Sequence, residues 1–565
     1  MEFFGAARSG FSRPFLVSCL AGGGLRPSHA RAVVRAIQAS GLECVFSPGG
    51  RAFFAGARAH QLVAFQPWER SRVERTRLQT GLKAVVIGAG LGGLASALRL
   101  RKAGWRVTVC DNGPAPGGKM SRFSRLGFSF DTGPTLLTMP HILSRLYSDL
   151  GERLEEHLQL EAVDPHAEYI FPDGTRLIVP PQLEAWLETV RRLEPKDAKG
   201  VRLLHAAGER IFRLSELTFF RNHPLTPLCP PPLAALWRLP LRDAWGNYAR
   251  TVQRRIRNPY LQRIYNRYPT YVGSSPYLSP ATLLVIPYLE HAFGAWFVKG
   301  GLFRIVESLS ELARTIGVEL RLNTQARKIE CHNGQVTGVV FDEDSRVEAN
   351  IVVYNGDAAA LGAMLGDSSP CDGSPRSLSG VVVLVGLRRK LLNLSHHSVL
   401  FSDDYEAEFD DLFKRHRFPK DPTVYVNAPL DSAFAPPGGQ ALYLMANAPG
   451  EVGGDWGEAA LASVLERILG KLRQAGLSGN LDPDVEVCEV WHPRRFERRF
   501  LAPGGAIYGA ASHGWRRAFL RPPNRSTRVR GLYCVGGSFH PGGGVPMVLL
   551  SAEIAVNLIK KDFPS

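Results

Sequence analysis

Two glycine clusters and three acid–base side chains mark where this chain can do chemistry. Gly88-x-Gly90-x-x-Gly93 follows the apolar run Ala84-Val85-Val86-Ile87 and leads into Leu94, Ala97, Leu98 and Leu100 at helical spacing. A buried strand ending in such a turn lets Gly88 bend tightly, Gly90 approach a pyrophosphate and Gly93 pack close to the strand. The free N–H groups and dipole at the start of the helix then favour phosphate. Trp105 to Val109 reads as the next strand, and Asp111 follows it. An acid about 20 residues beyond the glycines suits a pair of ribose hydroxyls and disfavours a 2′-phosphate. A dinucleotide is the ligand predicted, and a glycine-rich turn without a ligand is the alternative.

For proton transfer the candidates are Asp131, Glu290 and His540. Asp131 precedes Gly133-Pro134, where a carboxylate can act on a bound molecule or bond the N–H groups of its own turn. Glu290 ends an aromatic segment and becomes a base if burial raises its pKa; an ordinary salt-bridge partner is the other reading. His540 precedes a second cluster, Gly542-Gly543-Gly544-Val545, and can transfer a proton or position the last helix by a hydrogen bond.

A further pair of glycines separates the candidate dinucleotides. Pro116-Gly117-Gly118-Lys119-Met120 comes soon after Asp111 and is followed by Gly127 to Pro134, including Gly133. NAD does not need this pair. It resembles the GGR/GGK segment of the large FAD superfamily that includes the amine oxidases, where this backbone lines the phosphate and ribityl portion. Gln325 to Ile329 reads as a strand offering backbone bonds to adenine, and Asn350 to Asp357 as a strand returning to the same region. FAD is the cofactor expected. Gly537, Gly543, Gly544 and Val545 then expose N–H groups at the start of the last helix, where they suit the ribityl chain or the flavin O2.

The elements that position these residues require most of the 565 residues. That length exceeds one core and fits two intertwined domains plus an extension. Residues 1–80 are rich in arginine and poor in acids, without sustained periodicity. Phe15 to Ala21 is short and poorly flanked for a signal peptide. A transit peptide, a disordered tail or a start placed too far upstream are the readings for this extension, and no function is assigned to it. The dinucleotide domain is expected to be discontinuous, over 83–176, 300–357 and 503–565. Residues 177–299 form a helical insertion in which Leu233, Leu236, Trp237, Leu239, Leu241, Trp245, Tyr248, Arg250, Arg254 and Arg255 interleave. Such a mixture fits a helix lying in a membrane interface, a cover over a substrate channel, or core packing. Residues 358–502 hold the strands of a second sheet at Gly380 to Gly386, Thr423 to Asn427 and Ala441 to Ala446.

The formal charge of +16 has weaker support as a nucleic-acid footprint, because the basic residues are scattered and no binding motif accompanies them. Attraction to an anionic membrane surface or a merely basic surface remain. No run of about 20 uncharged apolar residues predicts a spanning helix. Cys19, Cys44, Cys110, Cys229, Cys331, Cys371, Cys488 and Cys534 form no CxxC pair or metal spacing and read as buried thiols in a reducing compartment, so no metal is expected.

After the GxGxxG region come six further segments: Gly127 to Pro140, Tyr268 to Glu290, Phe297 to Leu309, His396 to Pro429, Phe519 to Ser526 and Val535 to Ala552. In this order they resemble the bacterial-type phytoene desaturases of the carotenoid desaturase and oxidase family. The likeness covers about 83–560, and the HPGGGVP and SDDY stretches carry it most specifically. The resemblance implies an α/β fold: a discontinuous Rossmann-like FAD-binding domain, an inserted α+β substrate domain and a helical membrane-facing region. It also implies a FAD-dependent carotenoid desaturase drawing a hydrophobic polyene from a membrane, peripheral at its cytoplasmic face, with oligomers or a pathway complex as further partners and organelle targeting left open. Late-pathway desaturation and terminal-methyl oxidation belong to the same family. An amine-oxidase-like flavoenzyme and a non-catalytic FAD scaffold are the readings from other classes. A polyene needs an apolar tunnel, for which Tyr265, Tyr268, Tyr271, Tyr277, Trp296 and Phe297 are the candidates.

Overall fold

The structure is a computed structural model that describes residues 43–46, 52–55, 81–221, 223, 246–342, 345–367, 375–391, 394–429, 431–450, 455–477 and 482–564. It divides into two units, Met1–Arg77 and Leu78–Ser565. In the first unit, Glu43–Phe46 pairs antiparallel with Ala52–Ala55. This hairpin is an element that the arginine-rich composition of the segment concealed. The remaining expectations for residues 1–80, and those for Leu233, Leu236, Trp237, Leu239, Leu241 and Trp245, lie outside the described residues.

The second unit is built around two sheets. The first is five-stranded and parallel, in the order Glu319–Arg321, Arg106–Cys110, Lys83–Ile87, Ile351–Tyr354, Leu532–Cys534. Ala84 to Val86 and Ile351 to Val353 are almost fully buried, as a sheet covered on both faces demands. Because the strands run parallel, Lys83–Ile87, Ile351–Tyr354 and Leu532–Cys534 deliver Gly88, Asn355 and Gly536 to one edge. Ligands of open α/β sheets bind beyond the carboxyl ends of their strands.

Helix Leu91–Lys102 follows Gly88–Gly90 and is buried along most of its length. Leu94 and Leu98 are completely buried in the core that it shares with the C-terminal helix Val545–Asp562. Truncating either leucine to alanine costs about 2–5 kcal/mol at such sites. Arg99, Arg101 and Lys102 crowd the last turn, matching the negative end of the helix dipole.

The second sheet has seven strands: Val485–Trp491, Ser379–Leu387, Gln440–Ala448, Val424–Asn427, His397–Leu400, Ala167–Ile170, Arg176–Val179. Neighbours are antiparallel except His397–Leu400 beside Ala167–Ile170. The three strands expected from the sequence are present, and all nine residues of Ser379–Leu387 are buried. The sequence boundary at residue 176 cuts through the hairpin Ala167–Ile170/Arg176–Val179, which joins this second sheet. Helices Leu183–Leu193, Asp197–Leu217, Tyr248–Arg255, Pro259–Arg267 and Val285–Phe293 supply the helical insertion. Their apolar faces, with Trp186, Val201, Leu204, Tyr248 and Leu261, form a core against that hairpin.

Candidate functional site

The edge where the three parallel strands end opens into a cavity of about 810 Å³. Gly88, Gly90, Asp111, Gly117, Gly118, Lys119, Gly133, Gly537, Gly543, Gly544 and Val545 all line it. Gly93 does not; a Cβ there would strike the Gly88 carbonyl oxygen, so its role is the close packing of turn and helix. Gly88 has a φ of +99°, a conformation that residues with a Cβ rarely adopt. Gly90 bridges to Gly117, which sets the second glycine segment beside the first.

No side chain caps either helix that starts at this edge. Their first N–H groups are therefore left for a ligand, and the dipoles favour negative charge there. Asp111 braces the first turn, accepting from the Ala89 N–H at 2.8 Å and the Gly113 N–H at 2.7 Å. Thr324, Gln325 and Ala326 line the cavity near the start of strand Ala326–His332, beside the segment expected to meet an adenine. These are the features a dinucleotide with a pyrophosphate requires.

Several cavity residues were not legible in the sequence. Asn355 ends the returning strand, and its amide donates to the Gly88 carbonyl at 3.1 Å. Asp357 lines the cavity, is 5 % exposed, and accepts from the Ala359 N–H at 3.0 Å through Oδ1. Arg521 is buried and donates to the carbonyls of Tyr508 at 3.0 Å and Gly537 at 3.2 Å, and to Ser512 Oγ at 2.9 Å. Asn524 donates to the Cys534 and His540 carbonyls at 3.1 and 2.8 Å, fixing the turn between them. Lys119 donates to the Ile507 carbonyl at 2.6 Å. Burial lowers the pKa of Lys119, and that of Arg521 to about 10; the Asp357 carboxylate opposes both shifts. Two cations and one carboxylate thus line the same cavity as the glycine turns.

The three proton-transfer candidates sit elsewhere. None of the three is among the described residues that line the cavity. Asp131 accepts from the Leu302 N–H at 2.5 Å and pairs with Arg122 at 3.6 Å, so it ties its strand to a distant turn and not to its own. Burial raises its pKa to about 6, against the pull of Arg122. Glu290 is buried and accepts from the Tyr271 hydroxyl at 2.6 Å. Arg267 reaches Tyr169 and Tyr271 in the same cluster, at 3.0 and 3.2 Å. The His540 Nε2 donates to the Phe219 carbonyl at 2.7 Å, clasping the end of the long insertion helix to the C-terminal glycine segment.

Beyond the glycine turns the same cavity becomes apolar, walled by Leu283, Val285, Ile286, Leu289, Val382 and Met445. Of the six aromatic tunnel candidates only Tyr271 lines it. Tyr265 and Tyr268 fill the core of the helical insertion, and Tyr277 packs against it. Phe297 belongs to the core around the first sheet, and Trp296 packs half-buried against it. Regularly spaced aromatics satisfied packing demands before channel demands.

The family described as flavin containing amine oxidoreductase matches residues 91–560. The chain is 35 % identical over 491 residues to the 1-hydroxycarotenoid 3,4-desaturase of Flavobacterium sp. (strain P99-3), covering 84 % of this chain and 99 % of the relative. It is 32 % identical over 500 residues to the 4,4'-diapolycopene oxygenase of Methylomonas sp, covering 85 % and 98 %. Among solved structures, an oxidoreductase from Methanosarcina mazei shares the fold with a TM-score of 0.60 at 18 % identity, over 84 % of this chain and 100 % of that one.

Proposed function

The chain belongs to the flavin-containing amine oxidoreductase family, among its carotenoid desaturases and oxygenases, and from that premise we propose that it desaturates a long polyene drawn from a membrane. It is a FAD-dependent oxidoreductase with the α/β FAD-binding fold of the amine-oxidase superfamily. The observation that carries the proposal is the continuity of one cavity from the glycine turns to an apolar chamber. A hydrocarbon enters such a chamber because burying its surface is worth about 25 cal/mol per Å².

Desaturation removes a hydride and a proton from adjacent carbons. When bound, FAD supplies the two-electron acceptor that no amino-acid side chain offers. Gly88, Gly90, Gly117, Gly118 and Gly133, with the helix starts at Leu91 and Val545, hold its phosphates and ribityl chain in this reading. Gly93 keeps the first turn closed, while Asp111 braces it and would hold the ribose hydroxyls. Gly537, Gly543 and Gly544 keep side chains off the opposite wall. Lys119 and Arg521 hold positive charge on the cavity wall, favouring negative charge on its occupant. Asp357, whose Oδ2 has no partner among the described residues, is the carboxylate placed to take a proton.

A membrane-facing rim is supported by the end of the insertion helix and the segment Gly514–Phe519. Phe219 and Ala518 line the cavity, and their neighbours Leu217 and Leu520 are 47 % and 37 % exposed. Arg516 and Arg517 stand exposed beside them, as an anionic interface favours. No helix among the described residues is long and apolar enough to cross a membrane.

Late-pathway desaturation is the second reading, favoured by the polar side chains that interrupt the apolar chamber. Expression in a host that makes phytoene separates the two. Newly coloured neurosporene- or lycopene-like pigments establish early desaturation. Unchanged phytoene, with conversion of a supplied lycopene-type or hydroxylated carotene, moves the reaction to the late steps. No conversion of any carotene contradicts both.

A further inference from the structure

Within the chamber, two histidines are buried without the partners that buried polar groups require. His166 is 4 % exposed and His397 is 3 % exposed, and both line the cavity. Neither ring nitrogen of His166, nor the Nε2 of His397, has a hydrogen-bond partner among the described residues. Leaving such a group unsatisfied costs about 1–3 kcal/mol each.

The neighbours are already engaged. Tyr271 donates to Glu290, and Arg267 donates to Tyr169 and Tyr271. His291, whose ring stands 5.5 Å from that of His166, uses its Nδ1 on the Pro181 carbonyl at 3.1 Å. His397 Nδ1 lies 2.7 Å from the Tyr425 hydroxyl, which can donate or accept, and 3.3 Å from Asn427 Nδ2, which also donates to the His396 carbonyl at 3.0 Å. An amide nitrogen only donates, so the tautomer that serves both contacts has Nδ1 accepting and Nε2 carrying the proton. His397 therefore presents a donor. Burial keeps both imidazoles neutral, since it lowers their pKa values, so His166 presents one donor and one acceptor.

The two residues are close in the sheet. His397 begins the strand that pairs in parallel with Ala167–Ile170, and His166 immediately precedes that partner. We infer that His166 and His397 form a subsite for a terminal hydroxyl on the polyene, the hydroxyl oxygen accepting from His397 Nε2–H and its proton going to the acceptor nitrogen of His166. A hydroxyl can accept from one histidine while donating to the other, which a carbonyl cannot. The subsite rests on the reading of the chamber as a polyene site. It sets the preference between hydroxylated and plain hydrocarbon substrates of equal length.

The test is direct binding of two polyenes of equal length to the FAD-loaded protein, one with a terminal tertiary hydroxyl and one without. Binding is followed by the shift of the polyene absorption band, so it does not depend on turnover, and a failure of desaturation is seen separately in product analysis. The wild type is expected to bind the hydroxylated polyene at least tenfold more tightly. His166→Leu and His397→Leu are expected to bring the ratio to near one while binding of the hydrocarbon is kept, and His166→Gln to retain most of the preference. Equal affinities in the wild type overturn the subsite and leave water as the partner of both rings. A preference that survives both leucine substitutions also overturns it. Because the wild-type comparison alone can contradict the assignment, the test stands even where a variant fails to fold.

Discussion

The side-chain amide of Asn355 donates to the Gly88 carbonyl oxygen at 3.1 Å across 267 residues of chain. That bond locks the first glycine turn to the end of the neighbouring strand. It also explains why the turn is so lean, since a Cβ at Gly90 or Gly92 would press on the Asn355 amide at 3.0 or 2.7 Å. Asn355→Ala leaves the Gly88 carbonyl without this donor, a loss of about 1–3 kcal/mol. The expected result is a folded protein whose FAD affinity falls roughly tenfold to a hundredfold. The ratio of flavin to protein absorbance after gel filtration checks it, and full occupancy at low FAD would contradict it.

The first turn was legible because its parts are local: an apolar strand, three glycines, a helix and an acid in register. The return of the Asn350 to Asp357 strand to this region was legible as well, but the side-chain contacts of Asn355, Asp357 and Arg521 were not, because their partners lie far off in the chain or on its folded surface. The tyrosines of the Tyr265 to Tyr277 stretch misled for the opposite reason. Their helical spacing is real, but it serves the core around Trp186, where the Tyr265 hydroxyl meets His205 at 2.9 Å. The boundary at residue 176 falls inside the Ala167–Val179 hairpin because the strand that claims it for the second sheet, His397–Leu400, lies far along the chain.

Lys119→Met removes a half-buried cation that touches the Ala506 and Ile507 carbonyls. Electrostatic groups aimed at developing charge are worth about 10²–10³ in rate. Turnover is expected to fall at least about tenfold, with the melting temperature within a few degrees of wild type because a desolvated ammonium is removed as well. Steady-state kinetics beside thermal unfolding separates this from a folding defect.

Asp131 gives a pH signature of stability. Its carboxyl ionises near 3.8 when unfolded and near 6 when buried in the fold. Between those values the folded state keeps a proton that the unfolded state has lost. The contribution is full below the lower value and is lost as pH rises through the upper one. At pH 8 the loss amounts to about 3 kcal/mol. Asp131→Asn removes the titration, so its stability relative to wild type is expected to rise between pH 4 and pH 7. Denaturant unfolding of both proteins across that range reads it, and a difference independent of pH would refute the assignment.

Leu217→Glu with Leu520→Glu places two charges on the exposed apolar rim. Binding to vesicles containing anionic phospholipid is expected to drop by at least tenfold, while FAD retention is unchanged. Co-sedimentation measures the first and absorbance the second. Undiminished vesicle binding would place the membrane contact elsewhere.

The central claim is that a polyene, held in the chamber beside the glycine turns, gives up two hydrogens to the bound cofactor. Anaerobic addition of candidate carotenes to the purified FAD-loaded protein, with mass analysis of the recovered pigment, tests it most directly. The expected result is bleaching of the flavin band matched by a polyene lighter by two hydrogens. A flavin that stays oxidised with every carotene, yet bleaches on addition of a primary amine, would contradict it.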